Sequence, residues 1–161
     1  MGDWIEAGER APAFTLTADD GTKVRLADLK GQPVVLYFYP RDDTPGCTRE
    51  ACAFRDQQAQ LKKLGAQVLG ISPDSSESHE RFRDKYRLNF PLLSDPDHAV
   101  AEKYGAWREK NMYGKKVRGI ERSTFVIDKD GRIRYRHAGP VTEDVWKEVF
   151  EPLLASLGVG S

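Results

Sequence analysis

An excess of either charge, a cluster of cysteines and a long apolar run are all missing from this chain, and each absence narrows what it can be. Its 161 residues carry 25 basic and 25 acidic side chains. A zero formal charge leaves no electrostatic footprint for a nucleic-acid backbone or an anionic membrane surface, so neither is expected as a partner. No apolar stretch approaches the roughly 20 residues needed to cross a bilayer. The start, Met1-Gly2-Asp3-Trp4-Ile5-Glu6, lacks the basic and apolar regions of a secretory leader, and Glu6 stands where a myristoylation signal wants Ser or Thr. A cytoplasmic protein is the expectation. Only two cysteines and three histidines occur. Structural zinc usually takes four ligands, and His79, His98 and His137 share no ligand spacing, so no metal is expected and these histidines read as surface or hairpin residues. No Gly-x-Gly-x-x-Gly or phosphate loop is present, so no nucleotide cofactor is implied. Two cysteines are too few for a disulfide scaffold and suggest a redox pair.

Those two cysteines, Cys47 and Cys52, close a short segment that begins at Pro40. It follows the apolar run Val34-Val35-Leu36-Tyr37-Phe38-Tyr39, which reads as a buried strand, and precedes a stretch with helical periodicity. A cysteine at such a turn has its sulfur at a helix N-terminus, where unpaired N–H groups and the macrodipole favour the thiolate. Taken alone, a free cysteine is more often a small buried hydrophobe. Its neighbours change that balance. Pro40 fixes a backbone dihedral at the strand end, and Thr44-Pro45-Gly46 makes a tight turn. Thr44 lies at an N-cap distance from Cys47, close enough to hydrogen-bond near the sulfur. Asp42 and Asp43 read as turn residues, and Phe38, Tyr39 and residues near 82–90 as the wall of a site.

The rest of the chain predicts short strands at 11–17 and 22–26 and a helix over 48–64 closed by Gly65. A second buried strand follows at 67–72, then a helix from Ser75 or Ser76 to about Arg87 and a short helix from Asp97 to Tyr104. Strands at 123–128 and 132–137 flank the hairpin signal Lys129-Asp130-Gly131. Thr142 is expected to cap a terminal helix with Val145, Val149 and Leu153 along one side. Alternating strands and helices imply one α/β domain over 1–161, a central mixed β-sheet flanked by helices.

The pattern Pro40, Thr44, Cys47 resembles the peroxidatic motif of the peroxiredoxins, and Cys52 five residues on is similar to their Q-type, the bacterioferritin comigratory proteins. Matching segments extend along the chain: Ala11-Pro12-Ala13-Phe14, Gly70-Ile71-Ser72-Pro73-Asp74, Leu93-Ser94-Asp95, Met112-Tyr113-Gly114-Lys115 and Gly119-Ile120-Glu121-Arg122-Ser123-Thr124-Phe125-Val126-Ile127-Asp128. The resemblance implies a thioredoxin-like fold and a peroxidase in which Cys47 is oxidised by hydrogen peroxide or an organic hydroperoxide to a sulfenic acid. Cys52 then resolves it as an intramolecular disulfide, and thioredoxin or a similar dithiol reductant restores both thiols. Thr44 and the backbone N–H groups of Gly46 and Cys47 would receive the peroxide. Arg122, read without the resemblance as a surface arginine, would steady the thiolate and the departing oxygen, and Glu50 would either orient an arginine or be a solvated helix carboxylate. An intramolecular partner removes the need for a dimer, so a monomer is expected.

On a helix beginning near Cys47, Ala51, Phe54, Gln58 and Leu61 share its face, while Cys52 lies about 140° away on the wetter side. Helical Cα atoms five apart are roughly 8.7 Å from each other, beyond the about 6.8 Å a disulfide tolerates. Pairing therefore requires the turn to unwind. Two rivals are a thioredoxin-like disulfide exchanger, disfavoured by four rather than two residues between the cysteines, and a non-catalytic binding or chaperone module with unreactive thiols.

Overall fold

The computed structural model describes residues 4–158, so Met1–Asp3 of the start considered above lie outside it. Seven strands form one sheet in the order β2-β1-β5-β4-β3-β8-β9. They are β1 (Thr15–Ala18), β2 (Lys23–Arg25), β3 (Val34–Phe38), β4 (Gln67–Ser72), β5 (Leu92–Ser94), β8 (Ser123–Ile127) and β9 (Ile133–Ala138). Strands β3, β4 and β5 run parallel, and β8 joins β3 antiparallel with Val34 opposite Ile127 and Phe38 opposite Ser123. The sheet is therefore mixed.

Because successive strand residues point to opposite faces, β3 feeds two cores. Val34, Leu36 and Phe38 pack with Phe14, Tyr104 and Phe125 on one side. Val35, Tyr37 and the following Tyr39 pack with Cys47, Phe54, Phe82 and Trp146 on the other. Helices α1 (Pro45–Asp56), α2 (Gln58–Lys63) and α3 (Ser76–Tyr86) contribute to the second core, as does the C-terminal helical segment. Helix α4 (Ala99–Tyr104) belongs to the first. Phe38 thus lies across the sheet from Cys47, which corrects its placement in the site wall, whereas Tyr39, Phe82 and Phe90 are on the Cys47 side.

Several boundaries differ from the sequence reading. The first strand starts at Thr15, and Leu26 opens a 3-10 turn instead of ending a strand. The helix expected over 48–64 begins at Pro45, whose preset φ suits the first helical position, and breaks at Gln57 into α1 and α2. Ser75 caps α3 by accepting from the Ser78 N–H. The short helix expected from Asp97 starts at Ala99, and its free N–H groups at Val100 and Ala101 donate to the Asp95 carboxylate. Thr142 caps α5 (Glu143–Val145), but Trp146–Phe150 then winds as a π-helix before α6 (Glu151–Gly158). The wider turn shifts the phase of the stripe. Trp146, Phe150 and Leu154 are buried, and Val145, Val149 and Leu153 only partly so.

Two features were not anticipated. Strand β5 is only three residues long. The hairpin β6 (Trp107–Met112) and β7 (Lys115–Ile120) forms a separate two-stranded sheet whose polar sequence shows no apolar alternation. Tyr113 and Gly114, with φ 52° and 78°, supply the two left-handed residues that a tight hairpin turn prefers.

Candidate active site

The loop after β3 turns the chain into α1. Thr44 holds the N-cap position with extended backbone, and its carbonyl accepts the Thr48 N–H at 2.8 Å. Its hydroxyl makes no capping bond. It donates to the Arg41 carbonyl at 3.0 Å instead, which leaves its oxygen lone pairs free to accept. Pro40 is exposed at the start of this loop. Cys47, the third residue of α1, is 1% exposed and packs with Tyr37, Ala51 and Phe54.

Arg122 reaches this sulfur from the two-residue link between β7 and β8. Its Nη2 donates to Cys47 Sγ at 2.9 Å, and its Nη1 donates to Glu50 Oε1 at 2.8 Å. Glu50 is 2% exposed, so it is no solvated helix carboxylate; its second oxygen accepts the Val141 N–H at 2.9 Å. Burial pushes the Glu50 carboxyl above the usual carboxylate range, against the opposing pull of the Val141 N–H and the Arg122 charge. Burial lowers the Arg122 guanidinium, but Glu50 and Cys47 outweigh it and hold the group above its ordinary value. A Cβ on Gly46 would sit 3.4 Å from Arg122 Nη2, so the glycine keeps the space before the guanidinium open.

Cys52 is half-buried further along α1. It lines a cleft of about 530 Å³ with Gly46, Arg49, Asp56, Arg122 and the segment Pro140–Glu143. Both thiols are free, and both lie in the unbroken helix Pro45–Asp56. Ala51, Phe54 and Leu61 are buried as the stripe predicts, and Gln58 partly so.

Sequence reasoning missed the polar chemistry beside the loop. Asp42, read as a turn residue, is 9% exposed, and His79, read as a surface residue, is 0% exposed. Tyr39, Ser78 and His79 all contact the Asp42 carboxylate. Asp42, Asp74 and His79 bring one ligand-type atom each within 4.8 Å of one another, and hydrogen bonds among themselves and to Tyr39, Ser72 and Ser78 occupy these groups. The Ser78-His79 pair opening a helix was the one available signal. His98 is half-buried and stacks on Trp107 at 3.6 Å, and the half-buried His137 bonds the Pro140 carbonyl.

The mixed sheet, with helices packed on both faces and α1 leaving the end of β3, defines a thioredoxin-fold protein. The chain belongs to the AhpC/TSA family, whose model matches residues 7–136. It is 58% identical over 129 residues to a putative peroxiredoxin bcp of Coxiella burnetii, covering 80% of this chain and 85% of that protein. Peroxiredoxin Bcp of Bacillus subtilis is 51% identical over 129 residues, 80% of this chain and 82% of the relative. A Xanthomonas campestris peroxiredoxin Q structure superposes with a TM-score of 0.84 at 38% identity, covering 93% of this chain and 97% of that one. A bacterioferritin comigratory protein from the same organism, described for its alkyl peroxide reduction activity, gives a TM-score of 0.84 at 37% identity over 94% of this chain and 98% of its own.

Proposed function

We propose that this chain is a thiol-dependent peroxidase in which Cys47 attacks the substrate and Cys52 resolves the product. The observation that carries the assignment is the 2.9 Å contact from Arg122 to the Cys47 sulfur, made by a guanidinium that buried Glu50 holds in place. The thiolate attacks the terminal oxygen of hydrogen peroxide or an organic hydroperoxide. The S–O bond forms as the O–O bond breaks, leaving a sulfenic acid and an alkoxide or hydroxide that takes a proton from solvent. Arg122 steadies both the thiolate and the departing oxygen. The free N–H groups of Gly46 and Cys47, in the first turn of α1, and the Thr44 lone pairs receive the peroxide. Pro40 shapes the approach of the loop, and Glu50 is a positioning residue.

Cys52 then displaces water from the sulfenic acid to give an intramolecular disulfide. Both cysteines lie in α1, so its first turns must open for this step. A thioredoxin-type dithiol attacks the disulfide, passes through a mixed disulfide and leaves both protein thiols reduced. We read the chain as a single domain that works as a monomer, since its resolving thiol is its own. Two free thiols that cycle through a disulfide suit the reducing cytoplasm. No metal, organic cofactor or nucleic acid enters the scheme, and no described helix is long and apolar enough to cross a membrane.

Mass spectrometry of peroxide-treated protein, with peptide mapping under non-reducing conditions, tests the assignment. The expected product is one Cys47–Cys52 disulfide per peroxide consumed. Oxidation that begins on Cys52, or protein that consumes peroxide no faster than free cysteine, would overturn it.

A further inference from the structure

The loop between β3 and α1 has three exposed residues, Pro40, Arg41 and Asp43, and two buried ones, Tyr39 and Asp42. The Asp42 carboxylate is fully engaged. Its Oδ1 accepts the Tyr39 hydroxyl at 2.6 Å, and its Oδ2 accepts the Ser78 hydroxyl at 2.8 Å and lies 2.7 Å from His79 Nδ1. The Asp42 N–H donates to Asp74 Oδ2 at 2.7 Å, an oxygen that also accepts the Ser72 hydroxyl. His79 turns its other nitrogen, Nε2, to the Leu93 carbonyl at 3.0 Å. A carbonyl only accepts, so Nε2 is the donor there, and the 2.7 Å contact sets Nδ1 directly against the Asp42 carboxyl group.

Asp43 is tied to the other end of α3 by solvent-exposed contacts. It adopts φ 56°, unusual for a residue with a side chain, while its carboxylate accepts Lys85 Nζ at 2.8 Å and the Tyr86 hydroxyl at 2.7 Å. Two adjacent aspartates therefore grip the two ends of one helix. A buried polar pair of this kind is weak evidence for stability, because apolar residues of similar size often do as well. Its distinctive contribution is fixed geometry, and the loop it fixes carries Thr44 and feeds the first turn of α1.

We propose that the His79–Asp42 pair positions the peroxide-reacting turn, locking the loop to α3 so that Thr44 and Cys47 stand correctly against Arg122. This rests on the assignment of Cys47 as the attacking thiolate. The clamp also sets the fixed edge of the opening step: residues up to Thr44 stay anchored while the chain from Pro45 unwinds.

The test uses two rates in a Cys52→Ser background, single-turnover oxidation of Cys47 by hydrogen peroxide and alkylation of the same thiol by iodoacetamide. Alkylation, read on the alkaline plateau of its rate where the thiol is fully ionised, needs an accessible thiolate but not the Thr44–Arg122 arrangement. His79→Gln keeps a donor toward the Leu93 carbonyl and loses the one toward Asp42. His79→Asn keeps an amide nitrogen where Nδ1 was. His79→Gln should lower the peroxide rate about 10- to 100-fold, the scale of a small misplacement, and leave alkylation within about twofold of the parent. His79→Asn should recover most of the loss. A parental peroxide rate in His79→Gln, a parallel fall in alkylation, or no advantage for His79→Asn would overturn the proposal. Should His79→Gln fail to fold, Asp42→Asn disrupts the same pair from the loop side. It must slow the peroxide step alone, and a parental rate there is equally fatal. The parent itself separates the two levels: peroxide oxidation no faster than free cysteine would refute the Cys47 assignment, whatever the His79 variants do.

Discussion

Replacing Arg122 with Met takes away a guanidinium that serves two buried partners at once. Glu50 loses its 2.8 Å ion pair and keeps only the Val141 N–H on its other oxygen. At 2% exposure it has little access to water as a substitute. Breaking a buried pair by removing one partner costs about 3–5 kcal/mol. The Arg122 side chain is 18% exposed, which screens part of the attraction, so the expected loss is about 2–3 kcal/mol. The loss should depend on pH. Burial already raises the Glu50 carboxyl, and removing the arginine raises it further. A carboxyl raised in the folded state binds its proton more tightly than in the unfolded chain. Its stabilising contribution is complete below the ordinary value of 4.5 and disappears as pH rises through the folded value. The Arg122→Met deficit should therefore be smallest in acid and grow toward neutral pH. Adding Glu50→Gln removes the stranded charge and should restore a large part of the stability. Denaturant unfolding of the parent, both single variants and the double variant, at about pH 5 and about pH 7, measures the coupling. In stopped-flow oxidation the same Arg122→Met protein should react about 100-fold more slowly or worse. Strictly additive stability losses, or a deficit that does not grow with pH, would refute the Glu50 account, and an unchanged oxidation rate would place Arg122 outside the chemistry.

Other expectations follow from the same geometry. Cys47→Ser should lose turnover, since a hydroxyl is far less nucleophilic; Cys52→Ser should still reduce one equivalent of peroxide and accumulate sulfenic or higher acids on Cys47, visible by mass spectrometry. Hydrogen exchange on amides from 47 to 56 should quicken sharply once the disulfide forms, while β3 and β8 stay protected; equal protection in both states, with the disulfide verified, would contradict opening of α1. Gly70→Ala would put a Cβ 2.9 Å from Tyr37 Cζ and 3.0 Å from Leu92 Cδ2, so overpacking should cost about 1–3 kcal/mol in denaturant unfolding. A neutral result there would show that the two side chains move aside freely.

The chain's local chemistry was legible without coordinates wherever a signal is contained within a few neighbouring residues. An apolar run, a Pro-Gly pair and a helical stripe located β3, α1 and the start-of-helix position of Cys47, and the drier face of α1 could be told from the Cys52 side by counting around the helix. The Lys129-Asp130-Gly131 turn was visible for the same reason, with Gly131 at φ 87° and Asp128 accepting from Asp130 and Arg132. The π-helical turn at Trp146–Phe150 was not, because it changes phase without changing composition. Polar partners across the fold were equally invisible. Burial of Glu50 depends on Arg122 and Val141, 72 and 91 residues away, and Asp42 meets His79 only because α3 crosses beside the loop. Charged side chains look alike in a sequence whether they face water or the interior. Only the assembled sheet, by excluding water from one of them and bringing up a distant donor, determines which become part of the site.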